Sequence, residues 1–216
     1  YNKEISGDVA VILAHPNIHI SLTAERTGRP TRRSHNMPLK TPEQYLKSIQ
    51  RDVNLYLFGE KIKRFWEHPV IAPSIQTTMM TYRLAQMDEY RSLMTAKSHL
   101  TGHTVNRFTH IHQSVDDLLK KVEMLRLLGQ KTACCFQRCV GFDAANALYS
   151  VTYDIDKKHK TDYHERFKKY WTEVQEQDLF VAGSMTDTKG DRSKRPTEQS
   201  DPDAYLHIVD ENDEGI

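Results

Sequence analysis

The sequence contains few cysteines, and those it has are crowded together. Cys134, Cys135 and Cys139 lie within six positions of one another, and no other cysteine is present. A secreted disulfide framework spreads an even number of cysteines along its chain. We therefore expect a reducing, cytoplasmic compartment rather than a disulfide-stabilised extracellular one.

Long apolar runs, an excess of one charge and the common catalytic motifs are also missing. The apolar run from Val9 to Ala14 is too short for a membrane span and lacks the flanks of a secretory signal. Thirty Lys and Arg residues balance 29 Asp and Glu residues, a formal net charge of +1. The chain has no His-Glu-x-x-His motif, phosphate-binding Gly-rich loop, dinucleotide fingerprint or nucleophile elbow. We expect neither a nucleic acid nor a membrane as a partner.

What is present is the composition of a globular protein with two unusual ends. The 216 residues are 38% hydrophobic and 27% charged, which is typical of one domain, or of one domain and a piece of another. The chain begins at Tyr1, and the first Met that opens a plausible domain is Met37. Residues 1–36 are therefore either a native extension or translated upstream sequence. The last residues, from Asp210, read as a turn into another element, which predicts a fragment.

Helix signals dominate the middle of the chain. Thr41, Pro42 and Gln44 predict a capped helix start, and a strand-like run follows at Leu55–Phe58. Ser114 predicts the start of another helix, whose apolar stripe comprises Val115, Leu118, Leu119, Val122 and Leu125. Further helices are predicted for Met87–Lys97, for Lys131–Tyr149 after a stop at Gly129, and from Thr161. We predict a mainly α fold, with a helical N-terminal domain over residues 37–178 and the first strands of a β domain over residues 179–216.

The most specific local pattern is the spacing of two cysteines on the helix predicted for Lys131–Tyr149. Cys135 and Cys139 would lie one turn apart on the same face, and Cys134 would point about 100° away. Two thiolates placed in this way can reach one metal ion or cluster, and soft thiolates select zinc, copper(I) or iron–sulfur clusters. Two small buried residues produce the same spacing. A complete cluster needs about four ligands, so the pattern by itself leaves both interpretations open.

Other candidate groups are less specific. The segment Met185–Arg192 offers hydroxyl, backbone and cationic donors, and Gly190 allows close backbone approach. It could bind a pyrophosphate or the edge of a flavin, or be a solvated connection between domains. Arg126 lies near the apolar stripe and either pairs with a ligand anion or extends to solvent. His110 and His112 read as surface or core histidines.

A set of short motifs resembles the 4-hydroxybutyryl-CoA dehydratase / vinylacetyl-CoA isomerase family, within the 4-hydroxyphenylacetate 3-hydroxylase superfamily. The most specific of them is Cys135-Phe136-Gln137-Arg138-Cys139-Val140-Gly141. The others, in order, are Gly59–Ile62, His68-Pro69, Leu100–Gly102, Asn106–Phe108, His112–Leu118, Leu128–Ala133, Met185–Arg192 and Asp201–Asp203. The resemblance covers the chain from about residue 38 to its end.

The resemblance implies an acyl-CoA-dehydrogenase-like fold, a homotetramer, and an enzyme that binds FAD and a [4Fe–4S] cluster. It implies that Cys135 and Cys139 are two of the four cluster ligands, the other two, a His and a Cys, lying beyond residue 216. It places Gln137 near the active site. It also implies that a polar loop contacts FAD through Thr186, Asp187, Lys189, Gly190, Asp191 and Arg192.

The implied reaction removes water from the acyl-CoA substrate 4-hydroxybutyryl-CoA to give crotonyl-CoA, and shifts the double bond of vinylacetyl-CoA. The β-hydrogen of this substrate is not acidic, which explains a need for both an electron acceptor and a Lewis acid. A flavin-dependent aromatic monooxygenase component, of the 4-hydroxyphenylacetate type, is the alternative enzyme, and iron content would separate the two. A non-catalytic helical binding module is a third interpretation. Because the implied ligands and bases extend past residue 216, we expect this chain alone to be inactive.

Overall fold

The computed structural model describes residues 39–133, 135–181 and 190–201, and most of them are helical. The helices are α1 (Pro42–Ile49), α2 (Ala72–Gln86), α3 (Asp88–Met94), α4 (Val115–Thr132), α5 (Cys139–His159) and α6 (Tyr163–Glu176). The strands are β1 (Leu55–Leu57), β2 (Glu60–Ile62), β3 (Thr95–Lys97) and β4 (Thr104–Asn106). Short 3-10 turns occupy Phe65–Glu67, Arg107–Thr109 and Pro196–Glu198. Within the described ranges, no helix is both long enough and apolar enough to span a bilayer.

Two helix starts form as their capping residues predict. The Thr41 hydroxyl accepts a hydrogen bond from the Gln44 backbone N–H, and the Gln44 side chain accepts one from the Thr41 N–H. This reciprocal pair satisfies two donors that the first turn of α1 would otherwise leave free. The Ser114 hydroxyl likewise accepts from the Asp117 N–H at the start of α4.

Two antiparallel hairpins interrupt the helices. In the first, β1 pairs with β2 through a turn at Phe58 and Gly59, both of which have positive φ, as a tight two-residue hairpin requires. In the second, β3 pairs with β4. The prediction of one helix over Met87–Lys97 was therefore wrong at its end, because α3 stops at Met94. Three-residue strands are too short to show a period of two, so only their pairing identifies them.

The core consists of three clusters that join these helices. The largest lies among α2, α3, α4 and α5 and contains Leu84, Ala85, Met94, Phe108, Met124, Leu128, Phe136 and Phe142. A second joins α1 and α2 to the segment after α6, through Tyr45, Ile49, Ile75, Met79, Tyr82 and Phe180. The third, Ile111, Ala145, Trp171 and Val174, packs α5 against α6. Helix α2 thus contributes to two of the three clusters.

Most of the predicted apolar stripe of α4 lies outside this core, although its member Leu125 is half-buried and packs against the first cluster. The other members Val115, Leu118, Leu119 and Val122 are between 49% and 72% exposed, whereas Met124 and Leu128 are fully buried. The helix also continues past the expected stop at Gly129 to Thr132. The stripe marks an apolar face, but the positions of α2, α3 and α5 decide which face is covered.

The helix predicted to carry all three cysteines was also wrong. Helix α4 ends at Ala133, whose left-handed backbone forms its C-cap, and α5 begins only at Cys139. Cys135 therefore lies in the connecting segment, and the argument from a shared helix face fails. Cys134 lies outside the described residues.

The predicted division into domains is only partly covered by the structure. Helix α6 ends at Glu176, close to the boundary predicted at residue 178. The described residues that follow, 177–181 and 190–201, contain a 3-10 turn and no strand. Residues 1–38, 182–189 and 202–216 lie outside the described residues, so both the status of the N-terminal segment and the β domain stay predictions.

Candidate functional site

The segment Cys135–Cys139 joins α4 to α5 and alternates between exposed and buried side chains. Cys135 and Gln137 are exposed, Phe136 and Arg138 are buried, and Cys139 is half-buried at the first residue of α5. The alternation directs Cys135 and Gln137 toward solvent while their neighbours anchor the segment. Cys135 and Gln137 therefore lie on a short non-helical connection, and Cys139 begins the helix that follows it.

Helix α2 holds the backbone of this segment. The hydroxyl of Thr77 lies 3.0 Å from the Cys135 carbonyl oxygen, and the hydroxyl of Thr78 lies 3.3 Å from the Phe136 carbonyl oxygen. Gln137 has a left-handed backbone, with φ of 62°, which is uncommon for a residue with a long side chain. Such a conformation persists only where surrounding contacts impose it, and it occurs often at functional sites.

Arg138 is the residue of this segment that enters the core most deeply. Its guanidinium donates to the Asp178 carboxylate at 3.3 Å and to the Thr81 hydroxyl at 3.1 Å. It also lies 4.4 Å from the ring centre of Tyr82 and 4.9 Å from that of Phe108. Burial raises the pKa of Asp178, while the charge of Arg138 acts in the opposite direction. Both ions of the pair are buried away from water. Each one supplies the opposite charge that offsets the burial of the other.

The two thiols interact electrostatically. Burial raises the pKa of the Cys139 thiol, and the charge of Cys135 adds to the rise, whereas the Val140 backbone N–H opposes it. Both cysteines are free thiols. Four positions separate the two residues in the chain, so a thiolate at Cys135 disfavours a second thiolate at Cys139.

This donor set fits two ligands of a thiolate-bound cluster. Two free thiols four positions apart, one exposed and one half-buried, suit an iron–sulfur cluster, which is held by thiolates. Among the described residues, no group of three or more His, Cys, Asp or Glu side chains is arranged to hold a metal ion. The described part thus offers a pair of ligands, and the assignment of Cys135 and Cys139 to a cluster stays a prediction.

The polar loop predicted to contact FAD is described only in its second half. Thr186, Asp187 and Lys189 lie outside the described residues. A side chain at Gly190 would displace the Gln199 amide, whose oxygen would lie 2.2 Å from the added carbon. Hydrogen bonds from Ser193 occupy the Asp191 carboxylate and lower its pKa. Arg192 is exposed, and of the described loop side chains it is the cation presented to solvent.

Sequence reasoning missed both partners of the buried pair, Arg138 and Asp178. Arg138 lies between the two cysteines, but nothing in its spacing indicates that it turns inward. Asp178 has a left-handed backbone and follows α6, 40 residues away. Only the contact between them reveals the pair, so no sequence pattern would have found it.

A second buried ionic group surrounds Asp117, which the sequence indicated only as an acidic residue in the first turn of α4. Arg107 lies 3.4 Å and His110 3.2 Å from its carboxylate. Burial disfavours the Asp117 carboxylate, but hydrogen bonds from the Gln113 N–H, His110 and Ser114 outweigh it and lower its pKa to about 2. The group lines a cleft of about 380 Å³. His110 is thus buried, and the sequence had left open whether it would lie at the surface or in the core.

Comparison with known proteins identifies relatives over most of the chain. Residues 41–216 match the family described as 4-hydroxyphenylacetate 3-hydroxylase N terminal. The chain is 55% identical, over 82% of its length, to the 4-hydroxybutyryl-CoA dehydratase/vinylacetyl-CoA-Δ-isomerase of Clostridium aminobutyricum. It is 23% identical, also over 82% of its length, to a 4-hydroxyphenylacetate 3-monooxygenase oxygenase component of Thermus thermophilus. It spans 36% of the length of each of these two relatives.

Solved structures agree with this result. An archaeal 4-hydroxybutyryl-CoA dehydratase from N. maritimus superposes with a TM-score of 0.73 at 48% identity, covering 82% of this chain and 35% of that one. A 4-hydroxyphenylacetate 3-monooxygenase oxygenase component, solved with FAD and 4-hydroxyphenylacetate, superposes with a TM-score of 0.63 at 20% identity, covering 82% of this chain and 36% of that one. The second match shows the fold alone. Together these matches confirm the predicted resemblance and the acyl-CoA-dehydrogenase-like helical N-terminal fold.

Proposed function

Because the chain belongs to the 4-hydroxyphenylacetate 3-hydroxylase family through its N-terminal part, we propose that it is the front part of an enzyme acting on a coenzyme A thioester. The proposed reactions are dehydration of 4-hydroxybutyryl-CoA to crotonyl-CoA and isomerisation of vinylacetyl-CoA. The full enzyme would bind FAD and a [4Fe–4S] cluster, assemble as a homotetramer and work in the cytoplasm.

The observation that carries this proposal is the pair of neighbouring thiols at the start of α5. A flavin monooxygenase needs no thiolate ligands, whereas Cys135 and Cys139 place two free thiols on a segment whose backbone contacts α2. The 55% identity to a 4-hydroxybutyryl-CoA dehydratase supports the same choice. The 23% identity to the monooxygenase component is far lower.

Within this proposal, Cys135 and Cys139 hold the cluster and Gln137 faces the substrate between them. The bound flavin would supply an electron acceptor and the cluster a Lewis acid. The exposed Gln137 amide can donate to a substrate oxygen and accept from a hydroxyl. Its left-handed backbone turns the chain between the two cysteines, and the exposed amide is proposed to meet the substrate at that turn.

The proposed flavin contacts come from the loop around Gly190. Gly190 lets the backbone approach closely, Asp191 shapes the turn through Ser193, and Arg192 supplies a positive charge for a phosphate. Thr186, Asp187 and Lys189 are proposed to add hydroxyl, carboxylate and ammonium groups. These assignments extend the family resemblance and stand as proposals.

Anaerobic purification of the complete gene product tests the function. We expect bound flavin, about four irons per subunit, and formation of crotonyl-CoA from 4-hydroxybutyryl-CoA. Cys135→Ser should remove the iron and the activity, whereas Cys134→Ser, one residue away, should leave both in place. A protein with flavin but without iron that hydroxylates 4-hydroxyphenylacetate would overturn the proposal in favour of the aromatic monooxygenase. A folded product without cofactor would favour a binding module.

A further inference from the structure

Arg138 connects the two parts of the chain to which the proposed function assigns cofactors. Its backbone lies between Gln137 and Cys139, and its side chain reaches the residues that follow α6. The guanidinium binds the Asp178 carboxylate at 3.3 Å, and the Leu179 carbonyl oxygen lies 3.5 Å away. The loop around Gly190 follows a few residues later along the chain. One buried cation therefore contacts both the cysteine segment and the segment leading to the proposed flavin loop.

The guanidinium has little freedom to move. It is 2% exposed and lies between the rings of Tyr82, Phe108 and Phe180, at 4.4, 4.9 and 6.0 Å from their centres. Its bond to the Thr81 hydroxyl fixes it to α2, one turn beyond the threonines that lie beside the carbonyls of the cysteine segment. The planar guanidinium donates to two acceptors and lies against aromatic rings. It is therefore held in a more defined position than the ammonium group of a lysine would be.

The acceptor is fixed as well. The Asp178 carboxylate accepts a hydrogen bond from the Lys40 backbone N–H at 3.2 Å. The backbone carbonyl oxygen of Asp178 accepts one from the Tyr82 hydroxyl at 3.3 Å. Beyond it, the Val181 carbonyl oxygen would lie 2.1 Å from a side-chain carbon added to Gly141. Helix α5 and residues 178–181 are thus packed together without space between them, directly after Cys139.

We infer that Arg138, held by Asp178, is a positioning residue that sets the separation of the Cys135 and Cys139 sulfur atoms. Arg138 draws its part of the segment inward, between the exposed Gln137 and the half-buried Cys139, and so limits how far Cys135 and Cys139 can move apart. The inference rests on the proposed function, because it assigns a purpose to a cysteine pair that the proposal makes a ligand set. It requires Arg138 to control metal binding and not only stability.

Cadmium binding by the 216-residue chain tests this role without any flavin or iron. The probe is Cd²⁺ alone, and the readouts are the sulfur-to-cadmium charge-transfer absorption and the dissociation constant. Cys134→Ser is present throughout, so that Cys135 and Cys139 are the remaining thiols. Two thiolates that bind one ion together should give two cadmium–sulfur bonds, which the Cys135→Ser variant should reduce to one.

The deciding variant replaces the pair by neutral residues of similar size, Arg138→Met with Asp178→Asn, which leaves no unpaired buried charge. We expect it to fold, by circular dichroism, and to bind Cd²⁺ at least tenfold more weakly. The matched control, Arg107→Met with Asp117→Asn, removes the other buried arginine–aspartate pair and should leave cadmium affinity unchanged. A folded Arg138 variant with the affinity of the parent chain, or an equal loss in the control, would overturn the inference.

Arg138→Lys keeps the test decisive if the double variant does not fold. Lysine retains the charge beside Asp178 but lacks the planar fork that reaches Asp178 and Thr81 from two separate nitrogen atoms, so we expect a folded protein with severalfold weaker cadmium binding. An unchanged affinity would contradict the positioning role. Failure of the proposed function is a separate result, since it would appear as the absence of crotonyl-CoA formation by the complete enzyme, whatever the cadmium affinities are.

Discussion

Among the residues that the structure describes are two largely buried arginine–aspartate pairs that use the same groups in different surroundings. Arg107 pairs with Asp117 and also donates to the carbonyl oxygens of Leu93, Ser92 and Thr95. Arg138 pairs with Asp178 and otherwise meets one hydroxyl, one more distant carbonyl and three aromatic rings. The Asp117 side chain is 16% exposed and that of Asp178 is 5%.

The difference shows how surroundings assign a role to an ion pair. Hydrogen bonds to Asp117 outweigh its burial and lower its pKa, whereas burial raises the pKa of Asp178. The Arg107 pair joins the end of α3 to the start of α4. Three backbone carbonyl oxygens accept from Arg107 in addition to Asp117, as expected of a structural support. Arg138 has few acceptors that could replace Asp178, and it lies between the two cysteines in the chain.

The largest expected effect comes from breaking the second pair on one side only. Asp178→Ala leaves Arg138 buried without its carboxylate, and we expect the free energy of unfolding to fall by about 3–5 kcal/mol. Asp117→Ala should cost less, about 1–3 kcal/mol, because Arg107 keeps three carbonyl acceptors. Urea unfolding followed by circular dichroism measures both values. Equal losses would show that the redundancy of acceptors has no energetic effect.

A somewhat smaller effect is expected in α4, the helix that connects the two regions. Leu128→Ala should lower the free energy of unfolding by about 2–5 kcal/mol, because Leu128 is fully buried in the cluster shared by α2, α4 and α5. Leu119→Ala is the matched control on the exposed face, with an expected change within about 0.5 kcal/mol. A large loss from Leu119 would mean that the exposed apolar face is covered in solution.

Substitutions of Gly141 and Gly129 test how tightly the backbone is packed beside Arg138 and in α4. Gly141→Ala places a carbon 2.1 Å from the Val181 carbonyl oxygen and should destabilise the chain by about 1–3 kcal/mol, since backbone must move. Gly129→Ala in the interior of α4 meets no atom within 4 Å and should stabilise it by roughly 0.5–1 kcal/mol. Thermal unfolding compares the two directly, and a stabilising Gly141→Ala would be incompatible with the packing of α5 on residues 178–181.

A further effect is a dependence of stability on pH in the acid range, which the Asp117 carboxylate produces. The Asp117 pKa is lowered from 3.8 to about 2 in the folded chain, so its contribution is complete above about pH 4 and is lost as the pH falls toward 2. We expect roughly 1–2 kcal/mol less stability across that range, after allowance for solvent screening. Asp117→Asn should flatten this part of the stability profile in urea titrations. A profile unchanged by the substitution would contradict the assignment.

Local signals in the sequence predicted local structure well. The capping box at Thr41 and the Ser114 cap are confirmed, because each depends on residues three positions apart. Helix ends were less predictable. Helix α4 passes through Gly129 and stops at Ala133, because a single glycine inside a helix costs only about 1 kcal/mol, which packing readily outweighs.

The same distinction between local signals and tertiary packing applies to the candidate site. Residue types and their spacing alone identified the candidate groups, two thiols with a glutamine between them, because reactivity belongs to residue type and these residues are close in the chain. Tertiary structure decided how they are presented. It ended α4 before Cys135, turned Arg138 inward and brought it to Asp178, 40 residues away. It also left most of the apolar stripe of α4 exposed, because burial depends on where other elements pack, and no periodicity within one helix contains that information.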